Sequence, residues 1–223
     1  MLTLVIGNKN YSSWSLRPWL LLTEAGIPFE EVRVSLFTPT FHAEIGRYGA
    51  AGRVPILIDR ADDGSALKVW DTMAIAEYVA ERFPDRRLWP VDVAARARAR
   101  SICAEMHAGF SALRTALPMN VSASLPGRGW SVAVQDDMDR LVTLWREALD
   151  LHGGPMLFGP FTIADAFFAP VISRLSTYDV ALPADIAAYR DRVLALDGMR
   201  SWSAAAAAET EFLVEDEPYR RSR

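Results

Sequence analysis

The segment YSSWSLR, residues 11–17, gathers three hydroxyls, Ser12, Ser13 and Ser15, among large aromatics where an apolar run gives way to a helical pattern. The first turn of a helix leaves backbone N–H groups without partners and carries about half a positive charge, so hydroxyls collected there can help hold an anion. Capping is the competing use: Ser15 suits an N-cap, with Pro18 in the first turn, and the other two can satisfy loop backbone. The segment alone leaves both open. Two further places share its ambiguity. Val54-Pro55 opens an apolar strand, where a proline cannot donate a ladder hydrogen bond; a trans bond is the common case and a cis bond the alternative. Asp71-Thr72 ends one strand and starts a helix, and capping by either side chain leaves that N-terminus able to receive a ligand carboxylate.

Other chemistries find less support. A serine nucleophile needs a histidine base, and His42, His107 and His152 stand in no recognisable partner motif. The single cysteine, Cys103, cannot form an internal disulfide and reads as a small core residue. No metal is expected. The formal charge of -4, with arginines scattered among acids, argues against a nucleic-acid surface. No run approaches the roughly 18 uncharged apolar residues of a membrane span, and no secretory signal is expected because a strand-like run is reached by Leu2. The cytoplasm is the default location, and small-molecule chemistry or protein contact remains.

These residues need elements to hold them. Leu2–Gly7 reads as a buried strand, Ser15–Gly26 as a helix with Pro28 beyond it, and Phe29–Leu36 as a strand alternating Val32, Val34 and Leu36 with Glu31, Arg33 and Ser35. Residues 41–51, with Gly46 and Gly49, suggest a short irregular helix and loop. VPILID and ALKVW, joined through an Asp-Gly turn, predict an antiparallel hairpin, and Thr72 opens a helix that runs to Pro84. From Asp92 onward only helical periodicity is found. One stripe takes Ile102, Met106, Phe110, Leu113 and Leu117; a second takes Val134, Met138, Leu141, Trp145 and Leu149. Three more helices follow, and the closing EDEPYRRSR reads as a frayed tail. The order strand, helix, strand, helix, strand, strand, helix specifies an α/β unit over 1–84, followed by a linker at 85–91 and an all-helical domain over 92–223.

With YSSWSLR, RVPIL, WDTMAIAEYV and GPFTIADAFFAPV in this order, the chain resembles the cytosolic glutathione transferase family over nearly its whole length. The resemblance implies a thioredoxin-like N-terminal domain and a helical-bundle C-terminal domain, a homodimer, glutathione as co-substrate and a small apolar electrophile as its partner. It implies a catalytic hydroxyl at Ser12, with Ser13 beside it. Trp14 stands where the zeta-like branch has cysteine. Val54, before a cis-Pro55, would pair its backbone with the cysteinyl part of glutathione, and Asp71-Thr72 would take the γ-glutamyl end. Arg53 is the candidate for the glycine carboxylate, with His42 and Thr40 behind it. The electrophile would sit against Tyr11, Trp14, Met106, His107 and Phe110, although helical spacing also suits Met106 and Phe110 to a core. Thr162 and Asp165 would form a buried capping box. Conjugation by a thiolate is the expected reaction; glutathione-dependent cis-trans isomerisation of the maleylacetoacetate type and non-catalytic partner binding are the alternatives.

Overall fold

In the computed structural model, which describes residues 1–49 and 51–222, every residue of the first strand, β1 (Leu2–Ile6), is buried. Ala50, within the irregular stretch expected at 41–51, and Arg223, at the end of the expected tail, lie outside the described residues. Strand side chains alternate between faces, and here the faces meet different cores. Leu2, Leu4 and Ile6 join the main cluster with α1 (Ser13–Glu24) and α3 (Thr72–Arg82), while Val5 meets Val34, Ile45, Ile56 and Ile58 in a smaller one. β1 pairs parallel with β2 (Phe29–Arg33) and antiparallel with β3 (Ile56–Arg60), which turns back as the expected hairpin into β4 (Ala66–Trp70). The sheet order is β2-β1-β3-β4, and α2 (Phe41–Gly46) contributes Ile45 to the smaller cluster. This is the predicted element order, and the architecture is thioredoxin-like.

β2 ends at Arg33 rather than at Leu36 because its partner runs out. Val34 N–H still donates to Ile6 O at 2.8 Å, but Leu36 N–H goes to the Asn8 side chain at 2.8 Å. The start of α1 is corrected as well. Its N-cap is Ser12 and not Ser15, and Pro18 lies inside the helix, where its missing N–H removes the bond that the Trp14 carbonyl would have accepted. α1 is apolar on nearly every side because it is enclosed, with the sheet on one flank and α7 (Ile163–Thr177) and α9 (Asp197–Ala208) on the other.

The second half consists of α4 (Val93–Ala108), α5 (Ser111–Ala116), α6 (Val132–His152), α7, α8 (Ala184–Leu194) and α9. The stripe from Ile102 to Leu117 is not one helix. α4 ends at Gly109, where a Cβ would lie 2.8 Å from Glu105 O, and Phe110 follows at φ 55, in the left-handed region that ends helices. The stripe from Val134 to Leu149 does lie on one helix, α6. At the head of α7 the expected capping box is in place: buried Asp165 accepts from Thr162 N–H at 2.8 Å, and also from Leu157 N–H at 3.1 Å and Tyr189 O–H at 3.0 Å.

The tail is docked, not frayed. Buried Glu217 accepts from Tyr11 O–H at 2.8 Å and Tyr219 O–H donates to Ala116 O at 2.8 Å, while ahead of the tail Glu209, the C-cap of α9, receives the backbone N–H groups of Lys9 and Asn10 at 2.7 and 3.0 Å. Its acids and aromatics reach partners in both halves of the chain. No helix among the described residues is long and apolar enough to cross a membrane.

Candidate ligand site

The loop between β1 and α1 is pinned from three directions, and that fixes the serines. Asn8 O accepts Ser12 N–H at 2.8 Å; Asn10 Nδ2 donates to Asn120 Oδ1 at 2.9 Å while Asn10 Oδ1 accepts Ser122 N–H at 2.8 Å; Glu209 holds the backbone from the tail side. Ser12 Oγ accepts Ser15 N–H at 3.3 Å as the helix cap and donates to Ser15 Oγ at 2.7 Å, and Ser15 Oγ in turn accepts Gly7 N–H at 3.0 Å. The Ser13 hydroxyl has no hydrogen-bond partner among the described residues, although it too is almost fully buried.

Both serines open on a cavity of about 840 Å³. Trp14, Arg53 and Val54 are shared between it and an adjoining cavity of about 280 Å³, which continues to Pro55, Asp71 and Thr72. The Val54-Pro55 bond is cis. Asp71 sits at φ 74, a conformation that costs a non-glycine residue about 1–3 kcal/mol, and its Oδ1 caps α3 by accepting Met73 N–H at 2.8 Å. Three segments separated in sequence, residues 12–14, 53–55 and 71–72, thus border one continuous space.

The other predicted residues divide. Tyr11 lines the large cavity, but its hydroxyl is given to Glu217, and burial together with that carboxylate pushes its pKa up, so it has no proton directed at a ligand. Trp14 is the wall between the cavities, with the guanidinium groups of Arg17 and Arg114 at 4.3 and 4.7 Å from its ring centre. His107 belongs to the smaller cavity and not to the electrophile side: Nε2 lies 3.2 Å from Asp71 Oδ2, and Nδ1 is 3.4 Å from the Thr72 hydroxyl. Met106 and Phe110 line neither cavity. Both side chains are in the main core, Met106 because α4 turns that face toward α7 and Phe110 because the break after Gly109 folds it inward. Of the candidates for the glycine carboxylate, Arg53 and His42 line the large cavity, whereas Thr40 is exposed and engaged with Thr38. Cys103 is buried and its thiol is pushed well up by that burial, as expected of a core residue.

Several lining residues escaped the motif reading. Arg114 on α5 and Arg174 on α7 face the large cavity, as do Glu215 and Asp216 from the tail. Arginines at helical spacing and acids in a polar tail carry no local signal that separates a site from a solvated face.

Residues 11–82 match the family model for the glutathione S-transferase N-terminal domain. Over 176 residues the chain is 27% identical to a probable maleylacetoacetate isomerase of Caenorhabditis elegans, with 78% of each protein covered. The fold is shared with a glutathione transferase homologue from Burkholderia, solved with bound glutathione, at 24% identity and a TM-score of 0.68, covering 92% of this chain and 97% of the other. It is shared also with a maleylacetoacetate isomerase from Anaeromyxobacter dehalogenans with bound glutathione, at 21% identity and a TM-score of 0.66, covering 91% and 94%.

Proposed function

We propose that this chain, whose residues 11–82 match the family model for the glutathione S-transferase N-terminal domain, binds glutathione across the two joined cavities and uses its thiolate to attack a small electrophile. The supporting observation is the convergence of Ser12 and Ser13, Arg53 to Pro55, and Asp71-Thr72 on one space with the dimensions of a small peptide and a second ligand. The γ-glutamyl end goes to Asp71 and Thr72 at the head of α3, the cysteinyl backbone to Val54, and the glycine carboxylate to Arg53. The sulfur then falls near the head of α1.

A free cysteine-type thiol has a pKa near about 8.5, so only about 3% is ionised at pH 7. Lowering it by about two units asks for roughly 2.7 kcal/mol of preference for the anion. A hydroxyl proton donated to the sulfur contributes about 1.5–3 kcal/mol, and the helix terminus adds about 0.3–1 kcal/mol. With an aryl halide the sulfur anion forms the C–S bond, halide departs with the bonding electrons, and the thiol proton has already gone to solvent. The protein in this reading is a cytoplasmic homodimer, a state that sedimentation equilibrium reads directly.

Calorimetric titration with glutathione tests the reading: binding at micromolar to millimolar Kd supports it, and no binding returns the chain to the class of partner-binding proteins on this fold. Isomerisation of the maleylacetoacetate type is a second reading, favoured by the relative from Caenorhabditis elegans. It uses the same thiolate, which adds to a double bond and leaves after rotation.

A further inference from the structure

We propose that the large cavity selects electrophiles that carry an anionic group, a carboxylate above all, and that Arg114 and Arg174 read that charge. The proposal rests on the transferase reading of the same site and names its substrate class. Arg174 is 4% exposed. Its Nε donates to Leu117 O at 2.8 Å and its Nη1 to Pro170 O at 3.2 Å, which leaves Nη2 without a hydrogen-bond partner among the described residues in a side chain that lines the cavity. Arg114 gives Nη1 to His107 O at 3.2 Å and Gly109 O at 3.4 Å; its guanidinium lies over the Trp14 ring, and its other nitrogens have no hydrogen-bond partner among the described residues. Carbonyl dipoles orient these groups without neutralising them, and neither has a carboxylate within ion-pair distance among the described residues.

The two charges act on each other. Burial pushes both guanidinium groups down, Arg174 to about 10, and Arg114 is the next cause of that shift. Arg174 is buried and Arg114 half-buried, so leaving the pair unneutralised costs free energy that an anionic ligand recovers, and a guanidinium offers a carboxylate two parallel donors. The acids nearby are Glu215, which is exposed, and Asp216, whose carboxyl faces Arg174 from the tail. Asp216 is a weak competitor for the same charge. Trp14, Phe41 and Met119 supply apolar wall beside the arginines, which suits an aromatic or unsaturated acid.

The test uses para-chloro-meta-nitrobenzoate and its neutral amide, each titrated without glutathione into the intact chain and read by tryptophan fluorescence. The benzoate is expected to bind about tenfold more tightly than the amide. That preference should collapse in Arg174→Met and in Arg114→Met and should widen in Asp216→Asn. Because Arg174 supports two carbonyls, the other two variants carry the result if Arg174→Met does not fold. Equal affinities, binding of neither ligand, or a preference untouched in every folded variant overturns the proposal. Since this titration contains no glutathione, a failed calorimetric titration with glutathione alongside an intact benzoate preference would fault the transferase reading alone.

Discussion

Ser12 caps α1 and lines the large cavity at once, and what lies behind its hydroxyl distinguishes it from Ser13. Gly7 N–H donates to Ser15 Oγ, and Ser15 Oγ shares a 2.7 Å hydrogen bond with Ser12 Oγ. Reversing that shared bond makes Ser15 the donor and frees the Ser12 proton for an anion, at the end of a chain whose members polarise one another. Ser13 has no such backing. Replacing Ser12 by alanine should therefore slow conjugation of an aryl halide by about tenfold to a hundredfold while changing the glutathione Kd by less than about threefold. It should also cost about 1 kcal/mol of stability through the lost cap, visible in urea unfolding. Ser13→Ala should do neither. The opposite pattern of rates would move the catalytic hydroxyl one residue on.

At the scale of elements, the tail carries a pH-dependent contact with the cavity. Asp216 is pushed up to about 6, first by burial, with Arg174 opposing. A carboxyl whose folded pKa lies above its ordinary value of 3.8 binds more protons folded than unfolded between those two pH values. Its contribution to stability is full below the lower value and is lost as pH rises through about 6. The difference in unfolding free energy between Asp216→Asn and the natural chain should thus be small at the acid end and grow in favour of the variant toward neutrality. A constant difference across that range would mean that the carboxyl is solvated and the tail is not closed over the cavity. The sequence conceals this docking for a physical reason. Glu217 and Tyr219 look like solvated tail residues, and Glu209 like a solvated helix end, until Tyr11, Ala116 and Lys9 meet them, and those partners are a hundred or more positions away. The ends of β2 and α4 are hidden in the same way, one set by the length of a neighbouring strand and the other by a left-handed phenylalanine.

Across the whole molecule, the parts legible in the sequence were those whose signal is local and repeated. The hairpin of β3 and β4 carries its own turn chemistry, and α6, a helix of 21 residues, carries one apolar stripe from Val134 to Leu149. The serines, Val54-Pro55 and Asp71-Thr72 stood out because each lies at a strand end or helix start, where capping and ligand binding use the same atoms. Arg114, Arg174 and Asp216 were illegible because only the packing of α5, α7 and the tail around α1 brings them to one space. That packing is what joins the halves: the helix that caps with Ser12 is also the one that α7 and α9 enclose, so the head of α1 is held in place from both sides. A fixed helix terminus, and a hydroxyl whose oxygen is held while only its proton turns, stabilise an anion with little reorganisation, which is the central claim for this site. It is tested most directly by following the ultraviolet absorbance of the thiolate of bound glutathione against pH. The account predicts a midpoint of about 6.5, two units below the free thiol, and a return toward about 8.5 in Ser12→Ala. A midpoint that stays near about 8.5 in the natural chain would contradict it.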